Sequence, residues 1–141
     1  MTLYTLGFIF DPTMGRVVLI EKQRPMWQKG KLNGIGGKIE KDERSIMCIV
    51  RETREESGIE TSESEWMHVA VLSGPDWHMD VFTTVQDATR AIPRTLTDEV
   101  VGWYEIAALP EAVLPNVSWL IHLAKDKLQN KKFHQCEVLY T

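Results

Sequence analysis

The order of elements along this 141-residue chain predicts an α/β fold, with a central mixed β-sheet between helices. Three observations carry that expectation. Two β-prone apolar runs open the chain as a hairpin. A segment of helical period, stopped by a glycine, follows them. A second block of strands, a second helix and a closing strand complete the order.

Each element has a local reason. Tyr4 to Phe10 is apolar and β-prone, and Asp11-Pro12 closes it. Met14-Gly15 ends the turn, and Arg16 to Lys22 (RVVLIEK) forms the partner strand. The stretch QRPMWQKGKLNGIGG reads as a loop rich in Gly, Lys and polar residues. Arg44 to Ser57 has helical periodicity, with Gly58 in the position just past the end. WMHVAVLSG and WHMDVFTTV read as two strands turned by SGPD. Arg90 to Asp98 is a polar loop holding Pro93, and EVVGWYEI is another strand. In NVSWLIHLAKDKLQN, Trp119, Leu120, Leu123 and Leu128 recur at helical spacing, and FHQCEVLY closes the chain as a strand. Trp103 and Trp119 are expected in the core.

No repeat, low-complexity tract or composition shift marks a linker, so residues 1–141 are expected to form a single domain. Hydrophobic residues at 43% and charged residues at 26% exclude a disordered or fibrous chain. A net charge of −4 argues against a stable nucleic-acid partner, though not against an anionic small molecule. Cys48 and Cys136 form no metal-type pair and are too few for a disulfide framework, which suits reduced thiols in the cytoplasm. MTLYTLGFIFDP has no basic leader and reads as a strand. No apolar stretch approaches the roughly 20 residues of a bilayer span, so no membrane partner is expected.

The chemistry concentrates between Gly34 and Gly58. At about 100° per residue, Glu56 lies about 40° to one side of Glu52 and Glu55 about 60° to the other. Ile46, Ile49, Val50 and Thr53 fall on the opposite side, toward a core. Three like charges at this spacing repel one another, and Arg51, four residues before Glu55, offsets part of that. A hard divalent cation would relieve the rest. A solvated, charge-rich helix face is the plainer reading of the same pattern.

The full spacing is more specific. Gly37, five residues, Glu43, seven residues, Arg51-Glu52, then Glu55-Glu56 and Gly58-Ile59 resembles the Nudix box. Thr53 departs from it, standing where an aliphatic residue is usual. The similarity continues through LNGIGGK, DEVVGWYEIAALP and LPNVSW, and so covers nearly the whole chain. It looks like the MutT-type branch, which hydrolyses nucleoside triphosphates.

The resemblance implies a Nudix-fold α/β/α sandwich dependent on Mg²⁺, with Mn²⁺ as a substitute. It implies Glu52, Glu55 and Glu56 as metal ligands, with the Gly36 carbonyl and the distal acid Glu99 completing the set. Glu52, Glu55 and Glu99 are then the catalytic acids and bases. Gly37, Glu43 and Arg51 orient the ligands, and Lys38 holds a phosphate oxygen. Asn33 and Asn116 would read the base, with Trp27 or Trp77 stacking on it. Structural readings stand beside these: Glu99 as an exposed loop acid, Asn33 as a turn residue, Asn116 as a helix cap, and Trp77 as core. His78 reads as a surface histidine. Lys22, Arg24, Lys29 and Lys31 make a basic edge. Oxidised-purine triphosphatases carry two adjacent acids where this chain has Asn116-Val117.

The expectation is a Mg²⁺-dependent pyrophosphohydrolase, monomer or homodimer, that cuts a nucleoside triphosphate to the monophosphate and pyrophosphate. The alternatives are a Nudix hydrolase for another nucleoside diphosphate derivative and a Nudix module that senses a nucleotide without hydrolysis.

Overall fold

The computed structural model describes residues 1–130 and 132–141. Its strands are β1 (Thr2–Phe10), β2 (Arg16–Glu21), β3 (Leu32–Asn33), β4 (Ile35–Lys38), β5 (Met67–Ser73), β6 (Trp77–Val85), β7 (Val101–Glu105) and β8 (Cys136–Leu139). Helix α1 is Ser45–Ser57 and helix α2 is Pro115–Asn130. The strands run in the order β3-β2-β1-β6-β5-β8, with β4 also on β1 and β7 also on β2. β1 pairs parallel with β6, and β5 with β8, while the other pairings are antiparallel. The sheet is therefore mixed, and the α/β/α expectation holds.

Alternation along the strands splits the core between the two faces. Leu6, Phe8, Phe10, Leu19, Leu72 and Val81 face α2, which contributes Val117, Leu120, Ile121 and Ala124. Ile9, Val18, Ile20, Ile35 and Phe82 face α1 and meet Ile49. The first hairpin closes as its sequence suggests. The buried Asp11 carboxylate accepts the N–H groups of Gly15 and Arg16 at 3.1 and 2.9 Å and the Thr13 hydroxyl at 2.7 Å.

The structure differs from the sequence reading in two places. The glycine segment is not a loop throughout. It carries β3 and β4, and β4 lies along β1 with Gly36 opposite Leu6 and Gly37 opposite Thr5. Glycine is a poor strand former alone, and the sheet supplies what propensity lacks. Trp119 is 42% exposed, because α2 turns Leu120 and Ile121 inward instead. Lys127, by contrast, is buried. Its ammonium donates to the carbonyls of Phe133 and His134 and lies over the Phe133 ring. Those bonds tie the end of α2 to the segment entering β8.

Candidate functional site

Helix α1 presents the carboxylates as its period requires. Cys48, Ile49, Thr53 and Ser57 are buried, with Ile46 and Val50 packed beside them. Thr53, the departure from the box, is fully buried with its hydroxyl oxygen unpartnered. Gly58 ends the helix at φ 73°, and its N–H reaches the Arg54 carbonyl at 2.9 Å.

The two glycines of β4 make room for different neighbours. A Cβ on Gly36 would lie 2.1 Å from the Thr5 carbonyl oxygen, so this glycine lets β4 close onto β1. A Cβ on Gly37 would lie 2.5 Å from Glu52 Oε1, so this one lets the Glu52 carboxylate rest on the strand. Both glycines thus make room for the protein's own groups, Gly36 for the Thr5 carbonyl and Gly37 for the Glu52 carboxylate.

Arg51 organises the acids. Its Nε and Nη2 donate to the two oxygens of Glu43 at 2.7 and 3.0 Å, a bidentate fork. Its Nη1 donates to Glu52 Oε1 at 2.9 Å and Glu55 Oε2 at 3.1 Å. The Arg51 hydrogen bond pulls the Glu43 carboxyl down to about 2. Glu52 and Glu56 go the other way. Burial pushes both up, and the two carboxyls stand within hydrogen-bonding reach of each other. The Glu52 charge adds to the rise at Glu56. Glu56 Oε2 is buried with no hydrogen-bond partner.

Glu99 is not an exposed loop acid. It is 5% exposed, accepts the Gln23 N–H at 2.6 Å and the Lys22 ammonium at 3.0 Å, and its charge bears on Glu56. The fold thereby brings the distal acid, 43 residues on from Glu56, to the end of α1. Lys22, read in the sequence as a surface charge, is the cation between them: it pairs with Glu99 and lowers Glu56. Its signal was its place one residue past the end of β2, which no local pattern connects to Glu99.

Among the described residues, no three His, Cys, Asp or Glu side chains stand gathered as a metal cage. Arg51 holds Glu52 and Glu55 to its own guanidinium, which explains the arrangement. The donor set nevertheless suits a divalent cation. Two half-buried carboxyls stand within reach of each other, one has an orphaned oxygen, and a third acid stands nearby. All of the ligands are oxygens, as Mg²⁺ or Mn²⁺ requires.

The base-reading candidates are distributed unevenly. Asn33, on β3, accepts the Gly34 N–H at 2.8 Å and donates to Gln28 Oε1 at 3.2 Å. Asn116 is not the cap of α2. That helix starts at Pro115, the Ser118 N–H bonds to the Leu114 carbonyl, and Asn116 lies in the first turn, half-buried. The start of α2 is bonded to β3, since Leu32 N–H meets the Ala112 carbonyl and Leu114 N–H meets that of Leu32. Asn33 and Asn116 therefore sit on joined segments. Trp27 is 70% exposed on a short turn, Met26–Gln28, whose Gln28 holds Asn33. Trp77 opens β6, packs on the core beneath α2, and tilts against Tyr140 at 5.5 Å. Lys38 is exposed at the end of β4.

The chain is similar to proteins of known fold and to a curated enzyme. The CTP pyrophosphohydrolase of Escherichia coli is 36% identical over 67 residues, covering 46% of this chain and 50% of that protein. The match thus takes in about half the length of that curated relative. The MutT NUDIX hydrolase of Burkholderia pseudomallei superposes with a TM-score of 0.72 at 21% identity, covering 86% of this chain and 96% of that one. An ADP-ribose pyrophosphatase of Streptococcus suis superposes with a TM-score of 0.73 at 17% identity, covering 96% and 98%. The family profile described as NUDIX domain matches residues 2–126, which takes in β1, the carboxylate helix, the Glu99 loop and most of α2. With that span matched and the box residues assembled around α1, the chain belongs to the Nudix family of hydrolases.

Proposed function

We propose that this Nudix hydrolase is a divalent-metal-dependent pyrophosphohydrolase that cuts a nucleoside or deoxynucleoside triphosphate to the monophosphate and pyrophosphate. The observation that carries it is the pairing of Glu52 with Glu56, two half-buried carboxyls within hydrogen-bonding reach of each other, with the Glu56 Oε2 unpartnered. Such a pair must share a proton or hold a cation.

Glu52, Glu55, Glu56, Glu99 and the Gly36 carbonyl would hold Mg²⁺ or Mn²⁺. Bound there, the cation supplies neutralisation of phosphate charge and Lewis acidity. The protein does the rest. Arg51 and Glu43 fix the helix face, and one of Glu52, Glu55 or Glu99 takes the proton of the attacking water. Lys38 holds a phosphate oxygen as a point charge. Asn33 and Asn116 read the base edge, with Trp27 stacking on it. Trp77 contributes whatever indole surface its packing leaves open. The molecule works as one domain over 1–141 in the cytoplasm, as a monomer or homodimer, without a stable nucleic-acid partner. Among the described residues, no helix is long and apolar enough to cross a membrane.

The E. coli relative's name supports a nucleoside triphosphate substrate, and puts CTP beside the purines as a candidate. The test is a hydrolysis screen over nucleoside triphosphates, ADP-ribose and dinucleoside polyphosphates, with and without Mg²⁺, detecting phosphate and pyrophosphate separately. Pyrophosphate release from a triphosphate is the expected result. Turnover confined to ADP-ribose or dinucleoside polyphosphates would move the assignment to those substrates. Nucleotide binding without any turnover would make the protein a sensor.

A further inference from the structure

Helix α1 carries two of its acids at the end least suited to them. Glu55 and Glu56 stand in its last turn, where the backbone carbonyls gather partial negative charge, and Arg54 is the basic residue of that turn. A second cation arrives from elsewhere in the chain. Arg94 lies in the connection between β6 and β7, residues 86–100. Its N–H donates to the Ser57 carbonyl at 2.8 Å. Its guanidinium covers Gly58: a Cβ on that glycine would lie 2.8 Å from Arg94 Nη2 and 3.1 Å from Nε. Gly58 thus does two things. Its φ of 73° ends the helix, and its bare Cα gives the guanidinium a seat.

The same connection carries Glu99, a short way beyond Arg94. The stretch between them is bonded to itself and to the sheet. Thr97 Oγ1 accepts the Glu99 N–H at 3.1 Å, Thr95 Oγ1 accepts the Val101 N–H at 3.2 Å, and the Val100 carbonyl accepts the Glu21 N–H at 2.8 Å. Just before Arg94, Ala91 is buried in the core on the α1 face of the sheet. Arg94 is therefore where the segment bearing the distal acid is bonded to the helix bearing the others.

Resting on the reading of α1 as the metal-binding helix, we infer that Arg94 is a positioning residue that fastens the Glu99 segment to the C-terminal end of α1. The fastening sets the spacing between Glu99 and the α1 acids directly, without passing through the strands. Arg94 touches neither substrate nor metal in this role. It acts through the last turn of α1 and through residues 95–99. A purely electrostatic role has the opposite sign, since removing a cation beside an acid cluster tightens the binding of another cation there.

The test uses the full chain and three readouts. In metal-free protein, Arg94→Ala should speed amide exchange about tenfold at Gly58, Ile59 and Glu99, with β1 and β6 unchanged. Mn²⁺ binding, followed by electron paramagnetic resonance, should weaken about fivefold, and in a Glu99→Gln background the same substitution should weaken it no further. With the nucleotide found in the screen, kcat should fall about fivefold while KM stays within about twofold. Arg94→Lys keeps a cation at the helix end and should recover most of each loss. Arg94 is exposed, so Arg94→Ala should fold. If it does not, Arg94→Gln, which keeps the length and loses the charge, should show the same pattern at smaller amplitude. Unchanged exchange at the three amides in the folded variant would overturn the inference, and so would tighter Mn²⁺ binding. A lowered melting temperature with intact kcat and Mn²⁺ binding would reduce Arg94 to a structural role and overturn it as well. If the wild-type chain hydrolyses no nucleotide, the proposed function fails, while exchange and Mn²⁺ binding still decide the role of Arg94.

Discussion

Glu52 sits at the centre of the acid cluster. It takes an Arg51 N–H at 2.9 Å, shares space with Glu56 and lies over Gly37. Glu52→Gln keeps the shape and removes the charge. Activity should fall about a thousandfold, with the melting temperature preserved or raised because a half-buried charge crowded by Glu56 is gone. Near-normal turnover in the folded variant would remove Glu52 from the site. Gly37 makes a subtler test. A methyl there meets the free end of Glu52, which can swing away, so Gly37→Ala should fold and yet lose most of its activity. At Gly36 the same methyl meets the Thr5 carbonyl at 2.1 Å, which cannot move without the sheet. Gly36→Ala should therefore lose stability first. Thermal melts beside rate assays separate the two, and equal effects at both positions would count against the geometry.

At the scale of elements, the fork between Arg51 and Glu43 ties α1 to the segment after β4. Glu43 is held down to about 2, mainly by the Arg51 hydrogen bond. A depressed carboxyl stabilises the fold at pH values above its unfolded value, and that contribution is lost as pH falls through the folded one. Glu43→Gln should lower the melting temperature at neutral pH by on the order of 5 °C. The gap to wild type should close between pH 4.5 and pH 2. A gap constant across that range would show that the fork adds no charge-dependent stability. The same elements show how much was legible. The hairpin, α1 with its glycine stop, and the β5–β6 pair follow from period and turn residues. β3 and β4 do not, because each is held extended by a partner strand set earlier in the chain, β3 by β2 and β4 by β1, the latter about 30 residues before it.

At the scale of the molecule, the acid cluster links proton, metal and stability. Glu52 and Glu56 are both raised in the folded state, chiefly by burial. The folded chain therefore binds more protons than the unfolded one above the ordinary glutamate value, about 4.3, and metal-free stability falls as pH rises past it. In the proposed metal site a cation would take the place of that added proton, so Mg²⁺ should raise the melting temperature more at pH 8 than at pH 5. Equal shifts at both values would place Mg²⁺ elsewhere. The proposed base reading also belongs to this scale, since backbone bonds at Leu32 join β3, which carries Asn33, to the chain entering α2, which carries Asn116. Asn116 is in the first turn of α2 and does not cap it, so Asn116→Ala should leave stability nearly unchanged. It should lower kcat/KM about tenfold to a hundredfold, by factors that differ among bases. A uniform loss across a purine and pyrimidine panel would remove Asn116 from base recognition.

The sequence by itself determined the α/β class, the carboxylate face of α1, and family membership through the spacing of Gly37, Glu43, Arg51, Glu52, Glu55, Glu56 and Gly58. Those are local facts: helical period, a stop residue and fixed offsets along one continuous segment. Only the tertiary structure decided that Glu99 is buried against Lys22, that the neighbouring glycines serve different partners, and that His68 and His78 meet at Asp80. The reason is physical. Burial, and with it the cost of an unpaired charge or of one extra methyl, depends on what strands distant in sequence place in the same few ångströms.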